Sequence, residues 1–175
     1  MEKPLSRSER EAHIKDKAGW VITVLAALLA ITMLIGGGNS SKILNNTIAA
    51  NDIWGFYQAK SIKQTMNEIA GVQAANGGNL VLADKYAAKA ASYESDPKTG
   101  EGKVELAAKA RALEAERAVA KTKSPYYTYA SSLFQIAIVL LTASILAVSM
   151  PLFWSSLVVG GLGATLLIYA TWLFI

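Results

Sequence analysis

From Ala18 to Ile35 the chain reads AGWVITVLAALLAITMLI, without one charged residue. No soluble helix needs such a run, and a bilayer does. A helix rises about 1.5 Å per residue, so a hydrocarbon core of about 30 Å takes roughly 20 residues. With its flanking glycines this run is long enough. It also exceeds the apolar core of about 7–15 residues usual in a cleavable signal peptide. We therefore read it as a retained anchor.

Two more runs share the property. ASSLFQIAIVLLTASILAVSM spans Ala130 to Met150, and SSLVVGGLGATLLIYATWLFI spans Ser155 to Ile175. Pro151 lies between them and lacks the N–H that a helix interior uses. The two runs are then an antiparallel hairpin. A segment surrounded by lipid must satisfy its own backbone, which makes each span helical. The predicted fold class is all-α: an integral membrane protein with three transmembrane helices and an extramembrane helical hairpin or small bundle. The boundaries are a charged leader over residues 1–17, spans over 18–37, 129–150 and 152–175, and an extramembrane region over 38–128. With 53% hydrophobic residues the whole chain fits that class.

Lys3, Arg7, Arg10, Lys15 and Lys17 precede the first span, and Lys42 alone closely follows it. The excess of positive charge places the N-terminus in the cytoplasm and the middle region in the periplasm. Arg111, Arg117, Lys121 and Lys123 pull the other way from a long connection, where the rule weakens. Inside the spans, Gly160 with Ala164 and Gly161 with Thr165 are small residues four apart, a spacing that lets helices approach closely. Gln135 carries the strongest polar side chain of the second span, and its amide needs a partner. Gln135, Gly160, Gly161 and Ala164 are the candidate packing or pore residues.

The polar middle is also helical. Asn39, Ser40 and Ser41 offer N-caps after three glycines. Leu44, Ile48, Trp54, Tyr57, Ile62, Met66 and Ile69 then recur at intervals near three and four, as one drifting amphipathic stripe. Asn76-Gly77-Gly78-Asn79 breaks it, Ser95-Asp96-Pro97 with Gly100 and Gly102 breaks the next helix, and Ser124-Pro125 ends the third. Glu105 and Lys109 are spaced for an i, i+4 pair. Few Leu, Ile or Val follow Leu82, and alanine faces bury little area. At about 25 cal/mol per Å² such helices are marginal alone. Other copies or subunits are expected to complete their core.

One stretch in this region mixes unusual residues: WGFYQAKSIK, Trp54 to Lys63. Helical spacing puts Trp54, Tyr57, Gln58 and Ser61 on one side and Lys60 with Lys63 on another. The plain reading makes the aromatics anchors of a helix poor in bulk, with the lysines solvated. The sharper reading makes Trp54, Tyr57, Gln58, Lys60 and Lys63 an interaction site at a membrane surface, lysines toward phosphate headgroups.

Several chemistries have no support. Cysteine is absent, which removes thiolate nucleophiles and cysteine metal sites. The single histidine, His13, stands among Glu9, Glu11 and Asp16, a solvated pattern rather than a ligand set. Gly36-Gly37-Gly38 follows no strand and is no phosphate cradle. Lysines alternate with acids, so a net charge of +4 does not mark a nucleic-acid partner. We predict no catalytic residue, cofactor or metal.

Four segments together carry a resemblance: the first span, WGFYQAKSIK, YESDPKTGEGKVELAAKARALEAER, and Pro-Tyr-Tyr before SLFQIAIVLLTASIL. Over nearly its whole length the chain is similar to an uncharacterised group of membrane proteins, domain of unknown function four-three-three-seven. The resemblance implies bacterial origin, hence an inner (cytoplasmic) membrane, three spans and a helical extramembrane part. It transfers no activity. The expected function is a membrane-anchored helical scaffold or accessory subunit, in the lipid bilayer, that forms a homo-oligomer or docks on subunits of a larger membrane complex. The alternative is a small oligomeric channel or transport component, with Ser132, Gln135, Thr142 and Ser149 as a polar stripe on the second span.

Overall fold

The computed structural model describes residues 7–172. Among them are four α-helices and no strand: α1 (Arg7–Asn76), α2 (Leu80–Glu94), α3 (Lys103–Leu146) and α4 (Met150–Trp172). Three of these, α1, α3 and α4, are long and apolar enough to cross a membrane. Residues 1–6 and 173–175, with parts of the predicted leader and third span, lie outside the described residues, as does the side chain of His13.

The helices sort into two compact units. One gathers the residues up to Ser41 with those from Ala120 onward; the other holds Lys42–Val119. The first is an apolar three-helix unit. On α3 its buried positions include Tyr127, Ala130, Phe134, Ala137 and Leu141; on α4 they include Phe153, Gly160, Gly163 and Leu167. Steps of three and four give each helix a narrow seam, the pattern of near-antiparallel helix pairs. α1 adds Ala18 and Leu25 to the same core. Close approach is built from small residues. A Cβ on Gly163 would stand 3.2 Å from the Ala130 carbonyl and the Phe134 ring, and one on Gly36 would stand 3.2 Å from the Tyr127 Cβ.

Helix ends differ from the sequence reading in three places. The run Asn39-Ser40-Ser41 caps nothing, because α1 continues through it. Pro125 does not end α3 but lies inside it. Proline cannot donate to the carbonyl four residues back, here that of Lys121. On the adjoining carbonyl, Ala120, the Asn39 side-chain amide donates at 2.8 Å, so the disturbed turn gains a donor from α1. The second predicted span is shorter than expected, since α3 stops at Leu146 and Met150 already belongs to α4. Pro151 therefore sits in the first turn of α4, where a missing N–H costs nothing.

The α3–α4 turn itself contains no glycine. The Ser149 amide bonds the Ser144 carbonyl at 3.0 Å and the Val148 amide bonds that of Ile145 at 3.3 Å, with Val148 at φ 49°. The α1–α2 turn repeats this geometry with Gly78 at φ 77°: Asn79 bonds the Ala74 carbonyl and Gly78 that of Ala75. Both are helix stops with a left-handed residue, normally glycine. The second turn was legible from its glycines. The first was not, because a β-branched residue rarely takes that conformation.

The second unit is polar and thinly cored. Its buried apolar side chains are Ala50, Ala90, Leu106 and Ala110, three of them alanine. The predicted single stripe of α1 is in fact two. Trp54 and Tyr57 are half-buried, whereas Leu44, Ile48, Ile62, Met66 and Ile69 are exposed on another face. What looked like drift in one stripe is a division between sides of the helix.

Candidate functional site

The polar unit is organised around the connection from α2 to α3. Asp96 Oδ1 accepts from the Lys98 and Thr99 amides at 3.2 and 3.3 Å, and the Gly100 amide bonds the Asp96 carbonyl at 2.8 Å. Gly100 takes φ 68°, a left-handed conformation that glycine adopts without cost. Gly102 then immediately precedes α3, its carbonyl accepting from the Leu106 amide at 2.9 Å. Three residues on, Glu105 folds back over the connection. It accepts from the Ser95 hydroxyl at 2.6 Å and the Asp96 amide at 3.2 Å. A Cβ on Gly102 would stand 2.6 Å from Ser95 Cα and would also overlap the Asp96 amide and the Glu105 carboxylate. The backbone can pass here only without a side chain.

Glu105 and Lys109 accordingly do not use each other as the i, i+4 spacing suggests. Lys109 donates to the Gly100 carbonyl at 2.8 Å, while Glu105 serves Ser95 and Asp96. Both side chains satisfy backbone or hydroxyl groups of the connection, a stronger demand than a pair exposed to water.

Lys103 is the centre of the arrangement. Its ammonium donates to Gln64 Oε1 and Glu94 Oε2, both at 2.9 Å, and stands 5.5 Å from the centre of the Tyr57 ring. One cation thus joins α1, α2 and α3. Gln64 is used at both ends, because its Nε2 donates to Glu68 at 3.0 Å. The hydrogen bond from Lys103 holds Glu94 below the usual carboxylate range, and Glu94 in turn raises Lys103 above the usual ammonium value. Ser95 likewise lowers Glu105, and Thr99 lowers Asp96.

Further contacts flank this centre. Trp54 Nε1 donates to Glu114 Oε1 at 3.0 Å, and the Trp54 and Tyr57 rings meet edge to face with centroids 5.4 Å apart. Lys60 reaches Glu101 at 3.4 Å and lies 5.7 Å from the Tyr93 ring centre, which Lys89 also approaches at 5.2 Å. Glu116 pairs with Lys42 at 3.1 Å and is lowered chiefly by that contact.

The structure therefore divides the predicted interaction residues. Trp54, Tyr57 and Lys60 come together on the side of α1 that meets α2, α3 and their connection. Gln58 and Lys63 are exposed elsewhere. The helical-face assignment from sequence is corrected for two residues: Lys60 belongs with the aromatics, and Gln58 does not. The partners Glu94, Glu101, Lys103, Glu105 and Glu114 were missed as a group. No spacing announces them: Gly102, three positions before Glu105, has no side chain and so does not make the Ser/Thr-x-x-Glu capping pattern.

The span residues are also separated. A Cβ on Gly160 would meet Leu25 Cδ2 at 2.8 Å and Ala137 Cβ at 3.6 Å, so this glycine lies where three helices converge. Gly161 faces open space. Ala164 packs partly on the core and, with Gly160, Gly161 and Trp20, lines an open apolar groove of about 340 Å³. Gln135 is exposed. On the polar stripe of α3, the Thr142 hydroxyl is spent on the Ile138 carbonyl at 2.9 Å.

Chemically, the polar cluster fixes helices. Its carboxylates accept from Lys, Ser, Trp or backbone donors of other segments, and its cations lie over rings or bridge acids. Among the described residues, no three His, Asp or Glu are grouped to hold a metal ion. No curated protein and no solved structure matches the chain. A family model does: it covers residues 15–173, nearly all of the sequence read above, and on that match the chain belongs to the family described as domain of unknown function (DUF4337).

Proposed function

We propose that the protein is a scaffold or accessory subunit of the bacterial inner membrane that self-associates or docks on a larger membrane complex. The three apolar helices anchor it, with the N-terminus in the cytoplasm and the polar unit in the periplasm. One observation carries the reading. The polar unit uses its charged and aromatic side chains to hold its own helices together, while its buried apolar groups are Ala50, Ala90, Leu106 and Ala110. A unit built in this way offers helix faces to other proteins. Its core is too thin to supply the several kcal/mol of a stable domain by burial alone.

The test is the size and company of the full-length protein. It is extracted from native membranes in mild detergent, its mass is measured by light scattering, and co-purifying proteins are identified. The expected particle holds several copies of the 18.6 kDa chain, or one copy with defined partners. A monodisperse single copy that brings nothing with it would overturn the proposal.

A further inference from the structure

The outward face of α1 in the polar unit carries Leu44, Ile48, Ile62, Met66 and Ile69, each more than half exposed. At about 100° per residue these five lie within roughly 40° of one line along the helix. Asn51, Gly55 and Ala59 fall on the same line between them; Asn51 is exposed, and a Cβ on Gly55 would meet nothing within 4 Å. The face is thus a straight, largely apolar stripe with bulky ends, one polar residue, Asn51, and a small-residue middle. It is greasier than the inward face, where Trp54, Tyr57, Lys60 and Gln64 make hydrogen bonds and ring contacts. A contiguous apolar face left toward water marks an interaction site.

We infer that this stripe is the contact between two copies of the chain, packed in parallel across a two-fold axis. The inference rests on the self-association reading above and names its surface. Three properties favour a second copy. First, the stripe carries no charge, and its one polar side chain, Asn51, can pair with its own copy across a two-fold axis, as a single polar residue does in a parallel helix pair. Second, the nearest exposed charges, Asp52 and Lys63, stand on one flank only. A two-fold axis places the corresponding flanks of two copies on opposite sides, so like charge does not meet like. Third, the size fits. Five half-exposed side chains per copy bury roughly 1,000 Å² in all, at the floor for a specific interface. Anchoring in one membrane supplies what that area lacks, because it presents both stripes in the same direction and raises their local concentration. Small residues at 55 and 59 let the two backbones approach between the bulky pairs.

The chain has no cysteine, so single cysteines report on this contact without background. Ile62→Cys, Met66→Cys and, as a control in the α2–α3 connection, Lys98→Cys are made in the full-length protein and mildly oxidised in native membranes. A disulfide needs Cα atoms within about 7 Å. We expect about ten-fold more disulfide-linked dimer at positions 62 and 66 than at 98. Equal cross-linking at all three positions, or none at 62 and 66, overturns the inference. A second variant, Ile62→Glu with Ile69→Glu, is sized in mild detergent beside the parent protein. Loss of the dimer with unchanged helical circular dichroism supports the stripe. A parent oligomer that survives both glutamates overturns the stripe while leaving self-association standing. A parent that is already a lone single copy overturns both.

Discussion

In the apolar unit the residues that meet across helices are the ones a hydrophobic pattern picks out. Phe134 and Leu141 are fully buried on α3, and Gly160 and Gly163 admit neighbouring side chains on α4. In the polar unit the relation is reversed. Lys60, Gln64 and Trp54 turn inward to make directed bonds, and Leu44, Ile62 and Met66 turn outward. One unit is held by shape, the other by hydrogen bonds and ion pairs around Lys103. The comparison shows that an apolar stripe locates the inside of a helix only when the competing contacts are also apolar. Where Glu, Lys, Gln and Trp can satisfy one another between helices, they take the inside and the stripe is left for something else.

The largest effect that can break this contrast lies in the apolar unit. Phe134→Ala removes a ring with no exposed surface and opens a cavity beside Gly163. The expected loss is about 3 kcal/mol, the low end for such truncations, because lipid rather than water is the alternative surrounding of the ring. Unfolding of the full-length protein in mixed micelles measures it. A loss below about 1 kcal/mol would show that shape is not what holds this unit.

A smaller effect sharpens the contrast through glycine. Gly102→Ala places a methyl against Ser95, the Asp96 amide and Glu105, and should cost about 2 kcal/mol by overpacking. Gly161→Ala meets open space and should stabilise its helix by up to about 1 kcal/mol. Thermal melts of the two variants are therefore expected to move in opposite directions. A Gly102→Ala melt no lower than that of the parent protein would mean that the α2–α3 connection tolerates a side chain.

The smallest effect is a pH dependence confined to the polar unit. Glu94, Glu105 and Asp96 have ordinary values of 4.5, 4.5 and 3.8, and their contacts with Lys103, Ser95 and Thr99 lower all three. A carboxylate lowered in the folded state adds stability that is fully present above its ordinary value. That contribution is lost as pH falls through the folded value. Stability should be flat from pH 7 to about 5 on this account and decline below about 4.5. Glu94 is exposed and Asp96 and Glu105 are only half-buried, so water screens the effect and it stays modest. Near-ultraviolet circular dichroism of Trp54, Tyr57 and Tyr93 follows it. An unchanged signal at pH 3 would remove these carboxylates from the account of the polar unit.

Much of this architecture was legible along the chain. The turns at residues 77–79 and 95–102 announce themselves through Gly, Asn and Asp, whose local conformations need no distant partner. The turn at Val148 and the passage of α3 through Pro125 were hidden. Val148 takes a conformation that a β-branched residue rarely adopts, and the Asn39 amide that meets the Ala120 carbonyl beside Pro125 comes from 81 residues away. The residues Trp54, Tyr57 and Lys60 were singled out as unusual. Their partners Glu101, Glu114 and Lys103 could not be read from spacing, because they lie about forty to sixty residues away.

The amino-acid sequence by itself determined that the protein is helical and that three runs are apolar and long enough to cross a membrane. Both follow from local hydropathy and length, which any short window of chain contains. Only the tertiary structure decided which side of each helix faces inward. Rotation about a helix axis changes no local property, and it is set by the distant groups a side chain can reach.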